Sequence, residues 1–284
     1  MLKTIAIFLT AVAAAPITSL PGLAALPKWK MDAGYVSYTS PMLRSTHHTF
    51  VWIAESQNAP NTDPISFWTN GGPGCSGLFG MGFENGPFIA QADGTLALSS
   101  LSWNRNMTMV WFEQPAGVGF SYSDVPADYQ KYNDTVAATD NAAFLSAFFA
   151  AHPQYQDLPL FLTSESYGGN YVPQAAAEVL RGSDTRLAAQ LKRGGFAVGN
   201  PVFSIDDKAT FEGIMNLVTA DILLGHSLIP LSFTQRFRAA QCDTLSPPSD
   251  PCDALTAEMF QLAGKCWGPN GFDSNACGDN MFSK

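Results

Sequence analysis

Charge is what this sequence has least of: 14% of its 284 residues are charged, against about 25% in an ordinary soluble domain. A disordered, solvating chain needs the opposite balance, and an apolar share of 46% excludes it. Basic residues are scarcer than acidic ones, 15 against 24, for a formal charge of -9. No basic run is available to neutralise phosphates, so nucleic acid is excluded as a partner. Long apolar runs are lacking as well. The run Ile5 to Ala15 falls short of the ~20 residues that a membrane-spanning helix needs. Histidine is sparse, with four in the chain, and cysteine is odd in number at five.

What is present begins with an address. Lys3, the short apolar run and its alanine-rich end before Pro16 are the parts of a secretory signal peptide over residues 1–15. A cut after Ala13 or Ala14 is an option, because Pro16 directly after Ala15 is awkward. The expectation is the secretory pathway, ending outside the cell or in a vacuole or lysosome, with no membrane attachment after cleavage. Two N-glycosylation sequons agree with that route, at Asn106-Met107-Thr108 and Asn133-Asp134-Thr135. In an oxidising compartment five cysteines leave one without a partner inside the chain. Cys242, Cys252, Cys266 and Cys277 crowd the C-terminal part and Cys75 stands far upstream. Cys242 with Cys252 would close a short loop, although four cysteines allow three connectivities.

Short β-rich runs alternate with helical patterns. Thr49 to Ala54, Ile65 to Thr69, Met107 to Phe112, Leu158 to Thr163 and Gly195 to Val198 read as strands bounded by turn residues. Thr135 to Ala151 reads as a helix, capped by Asn133 or Asp134, with Phe144, Leu145, Phe148 and Phe149 on one face. The alternation predicts an α/β sheet domain. After Gly199-Asn200-Pro201 the character changes to helices with cysteine-bearing loops. The expected division is a core over 16–200 and a helical segment over 201–284.

The strand pattern ending at Thr163 runs straight into Ser164-Glu165-Ser166-Tyr167-Gly168-Gly169, and an alanine-rich helical segment follows. Strand, tight turn with a serine, then helix is the setting of a nucleophile elbow. Positions two before and two after the serine must be small. Gly168 meets this, and Ser164 stands where glycine is usual. Pro173 implies that the helix starts late or is kinked. Upstream, Trp68-Thr-Asn-Gly-Gly-Pro-Gly-Cys-Ser-Gly77 also follows a strand. Its paired glycines let main chain approach a substrate closely, as donors to a developing oxyanion must.

These strings resemble the serine carboxypeptidases of the α/β-hydrolase fold. The matching text is Trp68–Cys75, Glu84-Asn-Gly-Pro87, Trp103-Asn104, Gln114–Tyr122, Glu165-Ser-Tyr-Gly168 and Gly199-Asn-Pro201, in the family's order and spacing. The resemblance implies Ser166 as nucleophile and the Gly72 and Tyr167 N–H groups as the oxyanion hole. It implies that Asn70, the Gly71 N–H, Glu84 and Glu165 grip the free α-carboxylate of a peptide's last residue. Two carboxyls sharing a site cannot both stay ionised, so one keeps a proton to donate. Substrates would be peptide or protein C-termini, with no metal or organic cofactor.

The triad partners of such a serine follow it in the order acid, then histidine. His47, His48 and His152 all precede Ser166. His226 lies in a stretch resembling the start of the family's helical insertion. The expectation is therefore a C-terminally truncated member whose last sheet strands, triad Asp and triad His are missing, inactive by itself and with Cys75 unpaired. The alternatives are a catalytically dead peptide-binding or decoy protein and an acyltransferase relative. Glu165, where such transferases often carry Asp, favours the peptidase together with Asn70.

Overall fold

Two of the runs read as strands, Ile65–Thr69 (β4) and Thr108–Phe112 (β7), are buried at every position, as expected of parallel strands covered on both faces. The computed structural model describes residues 14–203, 218–225, 227–242, 244, 249–263, 267–268 and 271–272. They divide into two units, Met1–Phe203 and Ser204–Lys284.

The first unit is built on an eight-stranded sheet. Its other strands are Ala15–Pro16 (β1), Met31–Thr39 (β2), Thr46–Ala54 (β3), Tyr122–Ser123 (β8), Leu160–Glu165 (β9) and Gly195–Gly199 (β10). The order is β1-β2-β3-β7-β4-β9-β10, with β8 beside β3. A separate hairpin pairs Phe88–Ala90 (β5) with Leu96–Leu98 (β6). β1, β2, β3 and β7 pair antiparallel, whereas β7, β4, β9 and β10 run parallel. From β4 the chain passes to β7 on one side, then returns to β9 on the other. Ligands of open α/β sheets bind outside the carboxyl ends of strands at such a reversal. Thr69 pairs in register with Ser164, so the residues that follow, Asn70 beyond β4 and Glu165 at the end of β9, lie side by side.

Helix α1 spans Gly77–Phe83, and α2 spans Asp134–Ala151. Asn133 caps α2 by accepting from the Val136 N–H at 3.0 Å. Phe144, Leu145, Phe148 and Phe149 are all buried. Phe148 meets Phe67 of β4 edge-on at 4.8 Å, and Phe144 stacks on Phe112 of β7 at 5.0 Å. Helix α3 (Gly168–Arg181) does not start late: it runs through Pro173. α4 covers Thr185–Arg193.

The second unit holds helical residues 218–225 (α5), Leu231–Ala239 (α6) and Ser249–Ala263 (α7), and a short ladder of Trp267–Gly268 (β11) with Gly271–Phe272 (β12). Leu223, Phe233, Phe237 and Met259 form its small core. The expected short loop is closed by a disulfide between Cys242 and Cys252. Cys266, Cys277 and His226 lie outside the described residues.

Candidate active site

Ser166 sits at the tip between β9 and α3 with φ of 54°, the left-handed region that a non-glycine residue enters only under strain. The strain is held by three main-chain bonds. The Ser166 N–H donates to Gly199 O at 2.9 Å, and its carbonyl accepts from Gly169 at 3.0 Å and Val202 at 2.8 Å. Ser164, in the usual glycine position, is buried, and its hydroxyl donates to Thr69 O at 2.6 Å. The steric demand then falls on Gly168, where an added Cβ would lie 2.0 Å from the Ser164 Oγ.

The glycine-rich string lies directly against this tip. A Cβ on Gly71 would come within 2.5 Å of the Tyr167 nitrogen, 2.7 Å of Glu165 O and 2.9 Å of the Ser166 Cβ. Gly72 has φ of +111°, a conformation natural only to glycine, and is exposed. Its N–H has no acceptor among the described residues. Thus Gly71, Ser166 and Tyr167 come together from two segments almost a hundred residues apart in sequence, with Gly72 next in the chain.

Asn70 connects the two carboxyls. Its Nδ2 donates to Glu84 Oε1 at 2.8 Å and to Glu165 Oε1 at 3.0 Å. Its Oδ1 accepts from Trp68 Nε1 and from the Gly80 N–H, both at 2.9 Å. The buried amide is therefore fully engaged and cannot flip without losing bonds. Gly80 has to be glycine, because a Cβ there would lie 2.1 Å from Trp68 Nε1. Desolvation pushes the Glu84 carboxyl above its usual range. The Asn70 hydrogen bond opposes the rise and the neighbouring charge of Glu165 adds to it.

A cavity of about 350 Å³ opens beside Tyr167, walled by Pro73, Pro115, Tyr132, Asp134 and Tyr171. The Tyr167 hydroxyl donates to Asp134 Oδ1 at 2.8 Å, and the Tyr171 hydroxyl accepts from the Gly74 N–H at 3.2 Å. Sequence reasoning missed Gly80, Asp134 and Tyr171. Nothing in a glycine-rich helix, a helix N-terminus or an apolar helix face marks them until the chain is folded.

The other matching strings hold the scaffold. Asn104 is buried and donates to Glu55 O at 3.0 Å, and Asn85 accepts from Trp111 Nε1 at 2.8 Å. The sequon residues Asn106 and Asn133 are exposed, and Asn133 borders the cavity. Cys75 is exposed with a free thiol. Among the described histidines none bonds the Ser166 hydroxyl. His47 lies between Asp128 and Asp140, His48 between Ser37 and Asp124, and His152 is buried among Phe148 and Tyr155. Among the described residues there is no metal-holding cluster and no helix long and apolar enough to cross a membrane.

Comparison with known proteins closes on the same group. The chain is 41% identical over 250 residues to the mouse lysosomal protective protein, covering 88% of this chain and 50% of that protein. It is 34% identical over 249 residues to rice serine carboxypeptidase-like 26, covering 86% of this chain and 50% of that protein. The chain thus spans about half the length of these curated relatives. The crystal structure of Kex1, a prohormone-processing carboxypeptidase from Saccharomyces cerevisiae, superposes with a TM-score of 0.66 at 23% identity. That match covers 94% of this chain and 63% of Kex1, and shows that the fold is shared. A profile of the serine carboxypeptidase family matches residues 21–276, and the chain belongs to that family, on an α/β-hydrolase fold.

Proposed function

We propose that this chain carries the nucleophile and the carboxylate-binding site of a serine-type carboxypeptidase. Ser166 is the nucleophile, and the Gly72 and Tyr167 N–H groups receive the oxyanion. Asn70, the Gly71 N–H, Glu84 and Glu165 hold the free C-terminal carboxylate of a peptide or protein substrate. The observation that carries the reading is the Asn70 amide bonded to both Glu84 and Glu165 one residue from Ser166. Two carboxyls placed this way repel every anion unless one holds a proton, and a protonated carboxyl is a donor shaped for a carboxylate. With Glu84 pushed up by desolvation, the donor form persists into mildly acid solution. Binding of a free carboxylate is then strongest below the raised Glu84 value and falls as pH rises through it. Residues 16–200 form the core of this enzyme and 201–284 the start of its helical insertion. Residues 1–15 are its signal for secretion, with Asn106 and Asn133 as glycan acceptors on the way to the exterior or to a lysosome-like compartment. A cut after Ala13 or Ala14 leaves the Ala15–Pro16 strand intact, whereas a cut after Ala15 divides it.

The test is the affinity of a blocked dipeptide at pH 4.5 for the wild type, Glu84→Gln and Asn70→Ala. Hydrogen bonds to charged groups contribute about 1.5–3 kcal/mol, so Asn70→Ala should weaken the free acid roughly 10- to 150-fold. Glu84→Gln, which keeps a donor, should flatten the pH dependence. Unchanged affinity in Asn70→Ala overturns the assignment.

Turnover needs a base, since serine at its own pKa is a weak nucleophile. None of the described histidines bonds the Ser166 hydroxyl, and we infer that the 284 residues alone do not turn substrate over. An organophosphorus ester should label Ser166 only at the slow rate of an unactivated serine, followed by mass spectrometry. Rapid stoichiometric labelling would contradict this and make His226 the first suspect.

A further inference from the structure

Away from Ser166 the first unit buries a cluster of ionisable groups for which the proposed chemistry has no use. His47, on β3, is fully buried, as are Asp128 of the 3-10 turn Pro126–Gln130 and Asp140 of α2. His47 Nδ1 lies 3.0 Å from Asp140 Oδ2, and Nε2 lies 3.4 Å from Asp128 Oδ2. One buried imidazole therefore faces two buried carboxyls. The remaining partners are neutral or peripheral. Asp140 also accepts from Ser40 Oγ at 2.7 Å, and Asp128 accepts from Ser123 Oγ at 2.9 Å and from Ser45 Oγ, which itself lies 3.1 Å from His47 Nε2 and so links ring and carboxyl. Lys131, half exposed, reaches Asp128 Oδ1 at 3.3 Å. From β2, Tyr38 faces the imidazole edge-on at 5.7 Å, and burial keeps its hydroxyl protonated. From β8, the residue paired with His47 is Ser123, while Asp124 turns to His48.

The cluster reaches the cavity through Tyr132. Its hydroxyl lies 3.1 Å from His47 Nδ1 and 3.3 Å from Asp140 Oδ2, and the same side chain walls the cavity beside Tyr167. Asn133, which caps α2, and Asp134, which bonds Tyr167, follow directly in sequence.

We propose that His47 is a pH-sensitive positioning residue: as an imidazolium it ties Asp128 and Asp140 together, and so fixes Tyr132 and the start of α2 as one wall of the substrate cavity. The cavity half of this proposal rests on the carboxypeptidase reading above; the clamp itself does not. Charged, the ring donates from both nitrogens. Neutral, it keeps one N–H, Asp140 lies buried without its cation, and Asp128 keeps only the half-exposed Lys131, an arrangement that costs more than the pair gained. The directions agree. Burial alone would lower the His47 value, but the hydrogen bond and charge of Asp140, then those of Asp128, outweigh it and raise the imidazole above its ordinary range. Burial would raise Asp128, yet hydrogen bonds from Ser45, Ser123, Lys131 and His47 hold it at about 2.

The signs follow from linkage. His47, raised on folding, stabilises the fold fully below its unfolded value and stops doing so as pH rises through its folded value. Asp128, lowered on folding, stabilises above its unfolded value and is lost as pH falls towards about 2. The clamp is tight in acid solution and loosens as pH rises through the raised His47 value.

The test compares the wild-type chain with His47→Arg, which supplies a cation that cannot titrate, and with His47→Gln, which supplies none. Between pH 5.5 and 8 the thermal midpoint of the wild type should fall by roughly 4 °C more than that of His47→Arg. His47→Gln should show the lowered midpoint at both pH values. Should either variant fail to fold, the His47 resonance of the ¹⁵N-histidine-labelled wild type decides: titration above the ordinary histidine range supports the clamp, and titration below it refutes it. A parallel fall in wild type and His47→Arg overturns the proposal. For the cavity, His47→Arg should bind a blocked dipeptide acid at pH 7.5 at least threefold tighter than wild type, and equally at pH 5. Equal affinity at both pH values refutes the positioning role. Absence of any peptide binding counts against the carboxypeptidase reading instead, and the midpoints still decide the clamp.

Discussion

At the scale of single residues, the site depends as much on side chains that are missing as on those that react. Gly71 leaves room for the Tyr167 nitrogen and the Ser166 Cβ, and Gly168 leaves room for the Ser164 hydroxyl. Ser164 shows how a departure from the usual pattern is absorbed. The extra hydroxyl finds a carbonyl acceptor on β4, and its volume is accommodated by the glycine four residues later. Gly71→Ala is the sharpest check. Its methyl would collide with backbone on the elbow rather than with a flexible side chain, so relief requires the two segments to part. Overpacking of this kind costs about 1–3 kcal/mol or more. The expected outcome is a folded protein of lower denaturation midpoint with at least a tenfold loss of peptide-acid affinity. Wild-type affinity in Gly71→Ala would show that the segments are not in contact. Ser166, Gly71, Glu84 and Glu165, which the structure brings together around Asn70 and the elbow, could be singled out in the sequence because each lies in a short local string. Gly80, whose N–H fixes the Asn70 oxygen, was not, since its role exists only across a helix and a strand end.

At the scale of elements, legibility followed hydrophobic pattern. β4 was read to the residue because all five of its positions are buried and turn residues bound it. β2 was not recognised. Asp32, Gly34 and Ser37 interrupt any apolar alternation, and the strand exists through its nine-residue antiparallel register with β3. The 3.6-residue spacing correctly identified the aromatic face of α2. Yet Val136, Ala137, Asp140 and Asn141 are buried too, because the helix is covered on more than one side. α3 tolerates Pro173 in its sixth position, where only the opening turn must do without one more backbone bond. Phe148 is the centre of this packing, in ring contact with Phe67, Phe144, Phe149 and Tyr155. Phe148→Ala should lower unfolding free energy by about 3–5 kcal/mol in urea titration. A loss under 1 kcal/mol would mean that α2 does not form the core against β4.

At the scale of the whole molecule, the sheet places its chemistry where the chain changes direction. Parallel β4 and β9 end together, and the residues at and just beyond their ends bring Asn70 beside Glu165 and Gly71 beside Ser166, where the proposed carboxylate grip and nucleophile meet. The acidic composition has a local counterpart at the ends of these strands, where two carboxyls share one amide. Which side chain a substrate presents before its last residue was not legible in the sequence, because the cavity wall is assembled from Pro73, from Tyr132 and Asp134, and from Tyr171, three segments far apart in the chain. The proposed grip on the substrate's end is the central claim. Calorimetric titration of the wild-type chain with a blocked dipeptide acid and its amide at pH 4.5 tests it most directly. The account predicts that the acid binds at least tenfold more tightly than the amide and that this preference fades as pH rises through the raised Glu84 value. Equal affinity for acid and amide at pH 4.5 would contradict it.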